Sequence, residues 1–319
     1  MKAHFVWDVE ERARLLELLD DRIELSFGEV APADTQILVE GRPSEAMLDA
    51  CPKMHTLLIP YAGLPKDTRT LLTQRPQIAV HNIHHNAGPA SELAIALLLA
   101  AGKHLVPLDQ RLRKGDWMPR YEGHPALFLE GKRALVLGYG AIGQRVARVL
   151  CAFGMDVHAL RRRGDGNDAA ITLHGPEALT ELLPLSQVIL VSLPLTGDTL
   201  GMIGKAELAR LPAETLLVNV ARAAIVDEQA LFEALESKRL AAAGIDVWYH
   251  YPSADMRNCT LPSKFPFHQL DNVVMSPHRG GAYRHPENEL LRLAELAKSL
   301  NAAARGEAMP NSVNLEAGY

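Results

Sequence analysis

Residues 133–143 read Arg133-Ala134-Leu135-Val136-Leu137-Gly138-Tyr139-Gly140-Ala141-Ile142-Gly143. An apolar run of strand length enters a GxGxxG turn, and a helical pattern follows at once. Ile142, Val146, Val149, Leu150 and Phe153 recur at helical spacing, and residues 155–160 read as the next strand. Each glycine has a task in a dinucleotide-binding turn. Gly138 permits the tight turn, Gly140 lets a pyrophosphate approach the backbone, and Gly143 lets helix and strand pack closely. Ala141 and Ile142 open the helix whose N-terminus faces the phosphates. A lone GxGxxG is a weak signal, and the strand–helix–strand setting is what carries this one.

Outward from this turn, strands and helices alternate. Strand candidates are 133–137, 155–160, 187–193, 215–220, 243–247 and 272–275; helix candidates are 142–153, 176–183, 205–211 and 227–238. Buried β-branched strands joined by crossover helices indicate an open parallel sheet covered on both faces. Upstream, 36–40, 56–60 and 78–81 read as strands, with a helix opening at Ser44. Residues 91–105 read as a long buried apolar helix with Ser91 as its N-cap. Its most apolar part, 93–102, falls short of the ~18 residues that a membrane span needs. The helix 287–304 presents Leu290, Leu291, Leu293, Leu296 and Leu300, and is expected to return to the N-terminal domain. The expected class is α/β, with two doubly wound parallel-sheet domains. A flavodoxin-like substrate domain takes 1–88 and 284–319, and a Rossmann nucleotide-binding domain takes 89–283.

Composition agrees with such a chain and excludes others. The 319 residues are 48% hydrophobic and 22% charged, ordinary globular usage. Lys+Arg 33 against Asp+Glu 38 leaves −5, and aromatics are 5%, so nothing drives binding to nucleic acid or an anionic membrane. Cys51, Cys151 and Cys259 are far apart and odd in number, and read as free thiols of a cytoplasmic protein.

The second strand of the nucleotide unit ends in Leu160-Arg161-Arg162-Arg163. A carboxylate there would hold a ribose 2′-hydroxyl, whereas a guanidinium matches a 2′-phosphate in charge and geometry. NADP(H) is therefore expected, with NAD left open. Asp165 and Asp168 lie nearby, past the strand end.

Three later segments, LVNVAR (217–222), AGIDVW (243–248) and VMSPH (274–278), place polar side chains just past strand ends, where open α/β sheets bind ligands. With EGKRALVLGYGAIG, VSLPLTGDTLGMIG and LVNVARAAIVDEQAL, the chain resembles the D-isomer-specific 2-hydroxyacid dehydrogenase family from about Leu38 to His278. The resemblance implies hydride transfer at a 2-keto/2-hydroxy carbon in a cleft between two domains, and a homodimer. It implies that Arg222 binds the substrate carboxylate and polarises the carbonyl, and that His278 is the acid/base. Asp246 matches the position that contacts the nicotinamide amide. Leu193, Pro194, Val220 and Gly280 fall in segments beside the cofactor. Tyr61, Ala62 and Gly63 match the loop whose amides bind the substrate carboxylate, and Asn86 matches an asparagine of the substrate cleft.

The chain also departs from the family. Most members pair the histidine with a glutamate five residues after the aspartate; here that position is Tyr251. A phenol can orient an imidazole but adds little charge stabilisation, so Tyr251 either hydrogen-bonds His278 or packs in the cleft wall. His84-His85 replaces the usual Pro-Gly, and Arg279 follows His278 where an apolar residue is common. His81, His84 and His85 have metal-like spacing but no acidic or cysteine partner nearby, so no metal is expected. Two other readings stay open on the same frame: a formate-type dehydrogenase that needs no proton relay, and a nucleotide-sensing co-repressor.

Overall fold

The computed structural model describes residues 1–123, 126–162, 170–281 and 285–319. Arg163, Asp165 and Asp168 lie outside the described residues. The chain forms two compact units, Met1–Asn86 with Ala282–Tyr319, and Ala87–Gly281.

The first unit holds β1 (Lys2–Phe5), β2 (Glu24–Phe27), β3 (Ile37–Val39), β4 (Thr56–Ile59) and β5 (Ala79–Asn82). They lie in the order β2-β1-β3-β4-β5, every pair parallel, which is the flavodoxin-like order. Side chains alternate between two cores because the strand period is two. Ile37, Val39 and Leu58 join Phe5 and Leu15 on one face; Leu38, Leu57 and Ile59 join Leu48 and Leu72 on the other. The terminal helix Pro286–Arg305 closes the first of these faces with Leu293, Leu296 and Leu300. Leu290 and Leu291, expected on that apolar face, are instead exposed.

The second unit holds β6 (Arg133–Leu137), β7 (Asp156–Leu160), β8 (Thr172–His174), β9 (Val188–Val191), β10 (Leu216–Asn219), β11 (Ala242–Ile245) and β12 (Val273–Met275). The order β12-β11-β10-β9-β6-β7-β8, all parallel, is the Rossmann order extended by one strand. Leu135, Leu137, Ile189, Val191 and Leu217 face one core; Ala134, Val136, Val188, Leu190 and Val218 face the other. The helix Ala87–Gly102 covers the second core with Ala94, Leu97, Leu98 and Ala101.

Several expectations are corrected. The long apolar helix begins at Ala87, so Ser91 is not its N-cap; the Ser91 hydroxyl donates to Gly88 O at 2.6 Å from inside the first turns. Pro89 is tolerated there because first-turn N–H groups have no partner within the helix. The helix stops at Gly102, and a second one, Leu105–Leu112, follows His104 in a left-handed conformation. Residues 176–185 form short 3₁₀ and α turns rather than one helix. In the helix Ala141–Ala152, Val146 and Leu150 are buried with Ala147, while Val149 and the following Phe153 are exposed. Strands β1, β2 and β8 had no counterpart among the expected strands.

Candidate functional site

In the second unit, β6 runs into Gly138, whose φ of +101° lies in the region that disfavours side chains. The Ser192 hydroxyl donates to Gly138 O at 2.8 Å and holds the turn from the end of β9. A Cβ at Gly143 would overlap Gly138 O, so the helix can approach only with glycine there. Gly140 caps the helix, and a Cβ on it would meet nothing within 4 Å. The chain thus leaves open backbone where a pyrophosphate would lie against the N-terminus of the helix that Ala141 and Ile142 open, and these residues fit a dinucleotide. Beside this turn, Leu193 and Pro194 lead into a loop pinned by Thr199, whose hydroxyl donates to Pro194 O at 2.7 Å.

β7 ends at Leu160, and Arg161 follows, its N–H donating to His174 O at 3.0 Å across to the end of β8. Arg161 is half-buried and Arg162 exposed. Among the described residues, no carboxylate stands at this strand end. Asp156, at the other end of β7, is paired with Arg133 at 2.7 Å.

Arg222 follows β10 in extended backbone, past the buried Val220. Asn219 shapes its loop: Oδ1 accepts from Ala221 N at 3.0 Å, and Nδ2 donates to Arg222 O at 3.1 Å. The guanidinium is exposed and donates to Ala221 O at 2.7 Å.

His278 follows β12 with φ +56°, a left-handed conformation that costs a non-glycine residue on the order of 1 kcal/mol. The loop is over-determined from β11. Asp246, 2% exposed, uses Oδ1 to accept from Ser276 Oγ at 2.5 Å and Arg279 N at 2.8 Å, and Oδ2 to accept from Gly280 N at 3.0 Å. Gly280 is required for this, since a Cβ there would come within 2.9 Å of Asp246 Oδ2. The Trp248 indole N–H donates to Ser276 O at 2.8 Å and adds a second anchor. Asp246 therefore builds the histidine loop, and any contact with a nicotinamide amide would share an oxygen already accepting from it.

The Tyr251 hydroxyl lies 2.9 Å from His278 Nδ1 and accepts from Trp248 N–H at 3.2 Å. Partial removal from water lowers the His278 pKa; Asp246 pulls it up and Arg222 pushes it further down. Burial raises the Tyr251 pKa, so the phenol stays protonated. Tyr251, His278, Arg222 and Asp246 thus form one electrostatic group on the C-terminal edge of β10, β11 and β12. Ser276, Trp248, Ser192 and Asn219 build this edge without having been singled out. Each stands in a quoted motif, and their one sequence signal is a hydrogen-bonding side chain at a strand end.

In the first unit, the Tyr61 ring lies over Gly41, where a Cβ would overlap its hydroxyl. Ala62 O accepts from Asn82 Nδ2 at 2.7 Å, which ties the 61–63 loop, Gly63 included, to the end of β5. Asn86 ends this unit's N-terminal segment, partly exposed. All four residues belong to the first unit. His81 Nδ1 bonds Pro310 O at 2.8 Å, and no three His, Cys, Asp or Glu side chains are placed to hold a metal among the described residues.

A family model for the D-isomer specific 2-hydroxyacid dehydrogenase NAD binding domain matches residues 95–280. The chain is 31% identical to the glyoxylate reductase of Thermococcus litoralis over 87% of its own length and 82% of that protein. It is 34% identical to the glyoxylate reductase of Korarchaeum cryptofilum over 71% of its length, spanning 66% of that relative. A D-isomer specific 2-hydroxyacid dehydrogenase from Xanthobacter autotrophicus, solved with NADPH and MES, superposes with TM-score 0.81, covering 100% of this chain and 99% of that one at 24% identity.

Proposed function

Because the chain belongs to the D-isomer specific 2-hydroxyacid dehydrogenase family, we propose that it is a reductase of small 2-keto acids that draws its hydride from NADPH. The observation that supports this best is the shared strand edge carrying Arg222 and His278 beyond a glycine turn fit for a dinucleotide. The bound nucleotide supplies the hydride. Arg222 anchors the substrate carboxylate with its fork and polarises the neighbouring carbonyl. His278, protonated, gives its Nε2 proton to the oxygen that becomes the alcohol. Tyr61, Ala62, Gly63 and Asn86 remain candidate substrate contacts by the family resemblance. NADP is preferred over NAD because Arg161 and Arg162 stand where a carboxylate would repel a 2′-phosphate. The similarity to glyoxylate reductases favours a compact substrate such as glyoxylate or hydroxypyruvate. The working form is a homodimer in the cytoplasm.

The test is consumption of reduced nicotinamide with glyoxylate, hydroxypyruvate, pyruvate and bulkier 2-keto acids, each run with NADPH and with NADH. Turnover of a small 2-keto acid, faster with NADPH, is expected. Faster turnover with NADH overturns the role given to Arg161 and Arg162. Tight nucleotide binding without turnover of any of them favours a nucleotide sensor. Reduction of the oxidised nucleotide by formate in a parallel assay, with no 2-keto acid turned over, favours chemistry that needs no proton relay.

A further inference from the structure

We propose that Tyr251 is the positioning partner of His278, and that its hydroxyl holds the neutral imidazole as the Nε2–H tautomer while adding no charge to stabilise the imidazolium. The inference rests on the reductase reading for its kinetic consequence, but not for its structural one.

The direction of the hydrogen bonds carries it. The Tyr251 oxygen accepts from Trp248 N–H at 3.2 Å, a backbone donor that cannot reverse. The phenol keeps its own proton, and the nearest acceptor for it is His278 Nδ1 at 2.9 Å. A neutral imidazole that accepts at Nδ1 carries its hydrogen on Nε2. When the ring gains a second proton, Nδ1–H turns to the remaining lone pair of the same oxygen, and the phenol proton swings to water, which reaches the 54% exposed Tyr251. One hydroxyl therefore orients the ring in both protonation states.

A carboxylate at this position would orient the ring equally well and would also favour its charged form. Tyr251 does only the first. The charged groups around the ring are Asp246 from the end of β11, which favours the proton, and Arg222 from the loop after β10, which opposes it. Asp246 already spends both oxygens on Ser276, Arg279 N and Gly280 N, so it does not take the place of a direct partner. In the reduction, the Nε2–H bond of the imidazolium breaks, its proton joins the substrate oxygen, and hydride joins the carbon. The ring is left momentarily neutral with its hydrogen on Nδ1, donated to Tyr251; above its pKa, a proton taken from water at Nε2 and one lost from Nδ1 return it to the resting Nε2–H tautomer. One proton from water restores the imidazolium. With no anionic partner, that restored form persists only on the acid side, and reduction slows as pH rises through the lowered pKa.

Two measurements on the full chain test this, with Tyr251→Phe and Tyr251→Glu beside the wild type. Long-range ¹H–¹⁵N spectra of His278 are expected to report the Nε2–H tautomer in the wild type, a mixture in Tyr251→Phe, and a raised pKa in Tyr251→Glu. In the pH profile of kcat for 2-keto acid reduction, the falling alkaline limb should move up by about one unit or more in Tyr251→Glu. Tyr251→Phe should lose ~10-fold or more in kcat, with KM for the nucleotide unchanged, and Tyr251→Glu should restore it. Neutral wild-type His278 protonated on Nδ1, or an unmoved limb in Tyr251→Glu, overturns the inference. If no 2-keto acid is turned over, the reductase reading fails, and the spectra still decide the tautomer.

Discussion

His85 illustrates how a single side chain sets a pH limit. Its Nδ1 is shut off from solvent and has no hydrogen-bond partner among the described residues. Burial, then the charges of Arg292 and His84, push its pKa from 6.5 down to about 4. The folded chain therefore resists a proton that the unfolded chain takes up near the ordinary value. No penalty exists well above pH 6.5; it grows as pH falls towards 4 and levels off below. The Tm of the wild type should fall across that window more steeply than that of His85→Gln. Equal slopes would mean that His85 is not the group responsible. The sequence marks His84-His85 as a departure from the family pattern, but a lowered pKa needs neighbours from the terminal helix, and no local reading supplies them. Tyr251 is the converse case. Its spacing from Asp246 singles it out in the sequence, and the structure sets its hydroxyl at His278 Nδ1.

Among the elements, the helix Ala87–Gly102 and β11 meet through Gly244. A Cβ there would come 2.7 Å from Leu97 Cβ and 3.1 Å from Leu97 O, so the helix backbone itself blocks any side chain. Gly244→Ala should destabilise the second unit by ~1–3 kcal/mol, measured by denaturant unfolding, because overpacking forces a backbone shift. An unchanged midpoint would mean that the helix yields freely. The central strands of this unit, β6, β9, β10 and β11, were readable because strands buried on both faces form continuous apolar runs, whereas the partly exposed edge strand β8 was not. β1 was not, since His4 interrupts its run. That histidine is fully buried, satisfied by Ser26 Oγ at 2.8 Å and Gly28 O at 2.7 Å from β2 and just beyond it. A polar residue paid for by partners 22 and 24 positions away leaves no local pattern.

At the scale of the whole molecule, the apolar helix Ala87–Gly102 is buried inside the second unit, as its composition led one to expect. Exposed apolar side chains recur in the segment that follows, at Leu105, Leu108, Leu112, Trp117, Tyr121 and Phe128. In the proposed homodimer, these exposed apolar side chains are the candidate contact with the second copy. Sedimentation of the wild type should give a dimer, and the double substitution Leu105→Glu with Leu108→Glu, both at exposed positions, should give a monomer without loss of helicity. A monomeric wild type would overturn the assignment. The local pattern of residues was enough to establish the glycine turn, the class of both sheets and the family resemblance, and to single out Arg222, His278 and Tyr251 as candidates, because each depends on spacing within one strand–loop–helix unit. Tertiary structure alone decided that Asp246 clamps the histidine loop and which ring nitrogen of His278 meets Tyr251. Those depend on which strands become neighbours, and adjacency in a parallel sheet is set by crossovers between segments far apart in the chain.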